Sequence, residues 1–246
     1  MNLDEEMKKL QKAESGGKLP SPQKMAKITA AGLDQVATSV ALALFNDKTY
    51  IQLTGLNEMA QLEKDRILNE LILAGITVIM LTLEAPDLRI SRDFKEYFRL
   101  LKDEIPKAHL AQLKELGIEN KHVKLWKKLI EMRYDEYAQD RLKARSAAME
   151  YDSRKKDLTS KDLDGIHLFL PAFTVAVGCH HHICRGKTEG HDLAFKYLMK
   201  KLSRFYVTVR AAIEGGHLTS VGRAKIATRH FINDVKDWWE IRKKQK

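Results

Sequence analysis

The sequence predicts an all-α protein, a multi-helix bundle with a basic C-terminal helical subdomain. Three observations predict it. Helix formers such as Leu, Ala, Lys, Glu and Met dominate a chain of 246 residues that holds only 13 Gly and 5 Pro. Apolar residues recur at helical rather than alternating spacing along most of the chain. The positive charge is concentrated: residues 151–246 carry 19 basic and 10 acidic groups, which is nearly all of the net +10. With 44% hydrophobic and 31% charged residues, the composition is that of a soluble globular protein able to bury a sizeable core.

Taken in order, residues 1–24 read as a flexible arm, a short charged helix over Leu3–Ala13 followed by the linker ESGGKLPSPQ. Residues 25–45 form the first core helix, and 46–55 a turn with a short extended piece. Asn57 is placed to cap a long helix striped by Met59, Leu62, Ile67, Leu71 and Ile72. The β-branched run 77–83 fits either a single short buried strand or the continuation of that helix. Helix is preferred, because no second strand is there to pair with it. Pro86 closes this element. Residues 87–105 form the next helix, stopped by Pro106, and a short segment then ends at Gly117. Residues 119–153 read as one long charged helix, its apolar side marked by Val123, Trp126, Ile130 and Tyr134, its later half on the surface. DLTSKDLDG (157–165) is a hinge. The expected organisation is thus an arm (1–24), a helical core part (25–156) and a basic, histidine-rich helical part (157–246).

The N-terminus MNLDEEMKKLQK is acidic where a secretory signal is basic. The longest apolar runs, 71–83 and 166–178, are 13 residues each, short of the roughly 20 needed to span a bilayer. Two cysteines in this context read as reduced thiols. A cytoplasmic protein without a membrane span is the expectation.

Seven of the nine histidines and both cysteines lie in residues 167–230, and GCHHHICRG (178–186) is their densest stretch. Cys and His together raise zinc as a cofactor. On a helix, Cys179 and Ile183 face the core, His181 faces away, and His180 pairs with Cys184 four residues on. Further ligands would have to come from elsewhere, His191 first among them. No Cys-x-x-Cys or His-Glu-x-x-His pattern is present. The leading expectation is therefore no metal, with His180, Cys184 and His191 as candidate ligands for a minority zinc reading and histidines at a helix C-terminus as the plainer one.

Arg185 to His191, Arg210 to His217 and Arg223 to His230 are Arg-then-His pairs. They resemble the loose Arg–His pattern of the HEPN class of helical RNases. That resemblance implies a metal-independent nuclease, with His as general acid or base and Arg stabilising phosphorane charge. Arg223 and His230, with Asp234 orienting the imidazole, are the candidate catalytic set.

The segment 190–216 gives the most physical signal. Taking Lys196 as the origin of a helical wheel, Lys200 falls at about 40°, Arg204 at about 80° and Arg210 at about 320°. Leu198, Leu202, Phe205, Val209 and Ile213 occupy the other side. After Asp192 the next acid is Glu214, whereas a merely solvated face interleaves both signs. A final helix, 219–243, adds Arg223, Lys225 and Arg229. The leading expectation is a non-enzymatic binding protein that engages nucleic acid through phosphates, within a larger complex. The alternatives are a scaffold subunit docking an acidic protein partner, the RNase, and a Cys/His metalloprotein.

Overall fold

The computed structural model describes residues 20–88, 94–153 and 160–214. Among the described residues there are eight α-helices and no strand. They are α1 (Pro22–Phe45), α2 (Lys48–Thr54), α3 (Gln61–Leu83), α4 (Lys95–Glu115), α5 (Asn120–Gln139), α6 (Arg141–Ser153), α7 (Ser160–Ile183) and α8 (Asp192–Ile213).

The bundle is organised around α3. Every residue from Glu70 to Leu83 is buried, and α1, α4, α5, α7 and α8 all pack on it. The β-branched run 77–83 is therefore helix, apolar on all sides because it has no solvent face. Its two threonines turn their hydroxyls back on the helix, Thr77 Oγ1 to the Leu73 carbonyl (2.7 Å) and Thr82 Oγ1 to the Val78 carbonyl (2.6 Å). Both α1 and α3 are long and apolar enough to cross a membrane by length and composition; the 13-residue run 71–83 understates α3, and α1 lies outside both runs. In α3 that apolarity serves the core, since 83% of its apolar window is buried.

α1 starts where Ser21 Oγ accepts from the Lys24 N–H and Pro22 occupies the first turn. It buries Ala26, Ala30, Leu33, Ala37, Ala41 and Leu44 at spacings of three and four. The alanines bring its backbone close to α3. A Cβ at Gly75 would stand 3.2 Å from both the Cβ and the carbonyl oxygen of Ala37.

Several boundaries differ from expectation. Residues 46–55 hold no extended piece. Asp47 Oδ1 accepts from the N–H groups of Thr49 (2.9 Å) and Tyr50 (3.2 Å), starting α2, and Gly55 at φ 68° ends it. Asn57 lies in a short 3₁₀ turn, Leu56–Glu58, and α3 begins at Gln61 without a side-chain cap. Pro106 does not stop a helix; it sits inside α4. The missing N–H costs one backbone bond, but Leu101, Ile105 and His109 are all buried on either side of it, and this burial carries the helix through. The expected single helix over 119–153 breaks at Asp140 into α5 and α6, which lets α6 lie along α7. The arm, apart from its last residues, lies outside the described residues, as does the first part of the 157–165 hinge; from Ser160 the chain is helical. Ala172, Val175, Cys179, Leu198, Leu202 and Phe205 of α7 and α8 join one core cluster with residues of α1 and α3.

Gly178 of α7 faces α5, where an added Cβ would overlap the ring of the fully buried Tyr137. Replacing Gly178 with Ala is expected to destabilise the fold by about 1–3 kcal/mol, read as a lowered denaturation midpoint. An unchanged midpoint would place this contact elsewhere.

Candidate functional site

The end of α7 resolves the histidine cluster. Cys179 is fully buried, with its Sγ 3.6 Å from the Glu70 carbonyl. His181 is exposed. His182 Nε2 meets both carboxylate oxygens of Glu136 at 2.7 and 2.9 Å. Glu136 in turn takes Arg133 Nη1 at 3.1 Å, and Arg133 grips the buried Glu70 through two bonds of 2.6 and 3.0 Å. This chain of charges ties α3, α5 and α7 together. Arg66 of α3 donates to the carbonyls of His182 (2.7 Å) and Ile183 (2.9 Å). A guanidinium thus covers the negative end of the α7 dipole. The helix then closes through bonds from Gly186 N to His181 O and from Arg185 N to His182 O, with Arg185 in the left-handed region at φ 50°.

His180 was expected on a helix margin but is buried, its ring 5.4 Å from that of Phe195 on α8. Cys184 Sγ lies 3.8–3.9 Å from its ring nitrogens. Among the described residues no group of three or more His, Cys, Asp or Glu side chains converges to hold an ion. Burial pushes the Cys179 thiol well up and also raises Cys184, with Arg66 opposing the latter.

On α8 the four sequence-selected cations divide. Lys196 is exposed, and Lys200 and Arg204 are half-buried. Arg210 is only 9% exposed. It donates to Tyr206 Oη (2.8 Å), the Asp87 carbonyl (2.8 Å) and Glu214 Oε1 (3.0 Å), and pairs with Asp87 Oδ2 at 2.9 Å. Its guanidinium pins α8 to the segment after α3 and leaves the outer face. Lys201 is similarly committed. It bonds Asp47 Oδ2 at 3.0 Å, and Tyr197 Oη bonds the same oxygen at 2.8 Å. Burial alone would raise the Asp47 carboxyl, but Lys201, Tyr197 and the Tyr50 N–H hold it below its ordinary value. This contact holds the start of α2 against α8. Arg223, Lys225 and Arg229, with the catalytic candidates His230 and Asp234, lie outside the described residues.

One buried pair was missed from sequence. Asp34 Oδ1 of α1 and His109 Nδ1 of α4 are 3.0 Å apart, both side chains almost wholly buried, with Trp126 against the imidazole at 4.8 Å between ring centroids. Asp34 also lines a groove of about 610 Å3 between α1 and α4, with Lys27, Gln35, Glu104 and Lys107. The only available signal was an acid at a core position of α1, between Leu33 and Ala37. Comparison with protein-family models, with curated proteins and with solved structures gives no match for this chain.

His180 carries a pH prediction. Burial, then the nearby His191 and His181, push its pKa below the ordinary 6.5, opposed by Asp192. A depressed folded-state value gives stability that is full above the unfolded pKa and is lost as pH falls through the folded one. Chemical-denaturation midpoints are expected to drop as pH goes from about 7 to about 5, and His180→Gln to flatten that part of the profile. A variant with an undiminished slope would assign the loss to other groups.

Proposed function

We propose that this protein is a non-enzymatic helical binding protein that engages nucleic acid through its phosphates, with the outer face of α8 as the contact surface and a larger complex as its setting. The observation that carries this reading is the run of cations along α8: Lys196, Lys200 and Arg204 follow one another at a spacing of four residues, Lys196 exposed and the other two half-buried, with no acid between Asp192 and Glu214. From Lys196 to Arg204 is about 12 Å along the axis, long enough to meet successive phosphates. Such contacts read backbone charge and not base sequence.

The test is a titration of labelled single- and double-stranded oligonucleotides followed by fluorescence anisotropy. Three phosphate contacts predict a slope of log affinity against log salt of about −2.7, a loss of about fortyfold between roughly 50 and 200 mM salt. Lys196→Glu with Lys200→Glu is expected to lower both affinity and slope. Arg210→Ala should lower thermal stability, because it strands Asp87 and Tyr206, while leaving the salt slope nearly unchanged. Binding that ignores salt, or no binding at low salt, overturns the reading.

A further inference from the structure

The turn joining α4 to α5 offers a second, independent surface. Gly117 stands at φ 79°, its N–H bonded to the Lys114 carbonyl, and the Ile118 N–H reaches back to the Leu113 carbonyl (both 3.0 Å). This double bond pattern closes a helix end into a fixed turn. The turn holds two large apolar side chains outward, Leu116 at 71% exposure and Ile118 at 40%. On the first two turns of α5, Leu125 is 55% exposed. Lys121, Lys124 and Lys128 surround it at spacings of four, one and three residues, all exposed, and Lys114 and Lys127 are exposed nearby. From Lys114 to Lys128 there are five lysines against Glu115 and Glu119.

The geometry points to a peripheral membrane contact: we propose that this turn inserts Leu116 and Ile118 into the interface of an anionic bilayer while the α5 lysines lie over its headgroups. A protruding turn with apolar residues at its tip and cations behind it matches a surface that is deformable, negatively charged and apolar just beneath. A rigid acidic partner would need a groove shaped to the tip. Lysines at the start of α5 also oppose the positive end of its helix dipole, and their own ion pairs, Lys121 with Glu119 at 2.8 Å and Lys127 with Glu131 at 3.8 Å, are exposed ones of small worth to the fold. This surface is separate from the α8 face, and the two ideas fail separately.

The experiment is flotation of the full chain with vesicles of phosphatidylcholine alone and of phosphatidylcholine with about a third phosphatidylserine. Binding is expected to the anionic vesicles only. Lys121→Glu with Lys124→Glu should weaken it by about 25-fold or more, at about fivefold for each lysine lost, and Leu116→Ser with Ile118→Ser by about tenfold. Leu116→Trp should show blue-shifted emission with anionic vesicles and quenching by brominated lipid, a readout that simple adsorption would not give. All four substituted positions are exposed, and unchanged thermal melts would confirm that the fold is intact. Lys196→Glu with Lys200→Glu should leave vesicle binding in place. No flotation, flotation indifferent to Leu116 and Ile118, or capture by an acidic polypeptide in place of vesicles would overturn the proposal.

Discussion

The structure depends on one constraint: α3 has no face that can meet water from Glu70 to its C-terminus. A helix apolar around its full circumference must be enclosed on every side, and α1, α4, α5, α7 and α8 do this. The requirement propagates into the enclosing helices. α1 meets it with alanines, so that its backbone comes against Gly75. α5 and α7 meet it by packing closely on each other, with the Tyr137 ring seated over Gly178. Hydrophobic burial is non-directional, so it explains enclosure but not the register of the helices around α3.

Register comes from the polar ties at the edges of that core. Glu70 is buried where the apolar run begins, and a carboxylate there is costly unless paired and hydrogen-bonded. Arg133 supplies both bonds, Glu136 holds Arg133, and His182 holds Glu136. Asp34 with His109 does the same between α1 and α4, as do Arg210 with Asp87 and Lys201 with Asp47 for α8. Removing Arg133 would leave the Glu70 carboxylate buried without its partner, which costs far more than the pair contributes in net stability. These ties therefore act chiefly by excluding alternative packings.

The fold class was legible because helical periodicity is a local property of the chain. The helix over 77–83 was legible too, through the absence of any pairing strand. Missed features were those in which tertiary burial overrides a local signal. Pro106 is a helix breaker by its own chemistry, yet Leu101, Ile105 and His109 hold α4 through it. Asn57 is a good cap, but the chain spends that position on a 3₁₀ turn. In GCHHHICRG the inward direction of Cys179 and Ile183 and the outward direction of His181 followed from the helical wheel. Burial of His180 by Phe195 did not, since Phe195 belongs to the next helix.

The same limit governs the candidate site. A helical wheel sorts Lys196, Lys200, Arg204 and Arg210 onto one face because it knows only angle. It is blind to Asp87, more than a hundred residues earlier, which draws Arg210 inward. Asp47 does the same to Lys201. Whether a cation on α8 is drawn into the fold is thus decided by acids remote in sequence. The separation has a thermodynamic logic. A guanidinium held by Tyr206, Asp87 and Glu214 would have to give up those bonds to meet a phosphate, so its contribution to binding would be largely cancelled. An exposed lysine such as Lys196 has less to give up, and counterion release adds to its affinity for phosphate. Arg210 and Lys201 are held within the fold while Lys196 stands at the surface of the same helix, and only the folded chain distinguishes them.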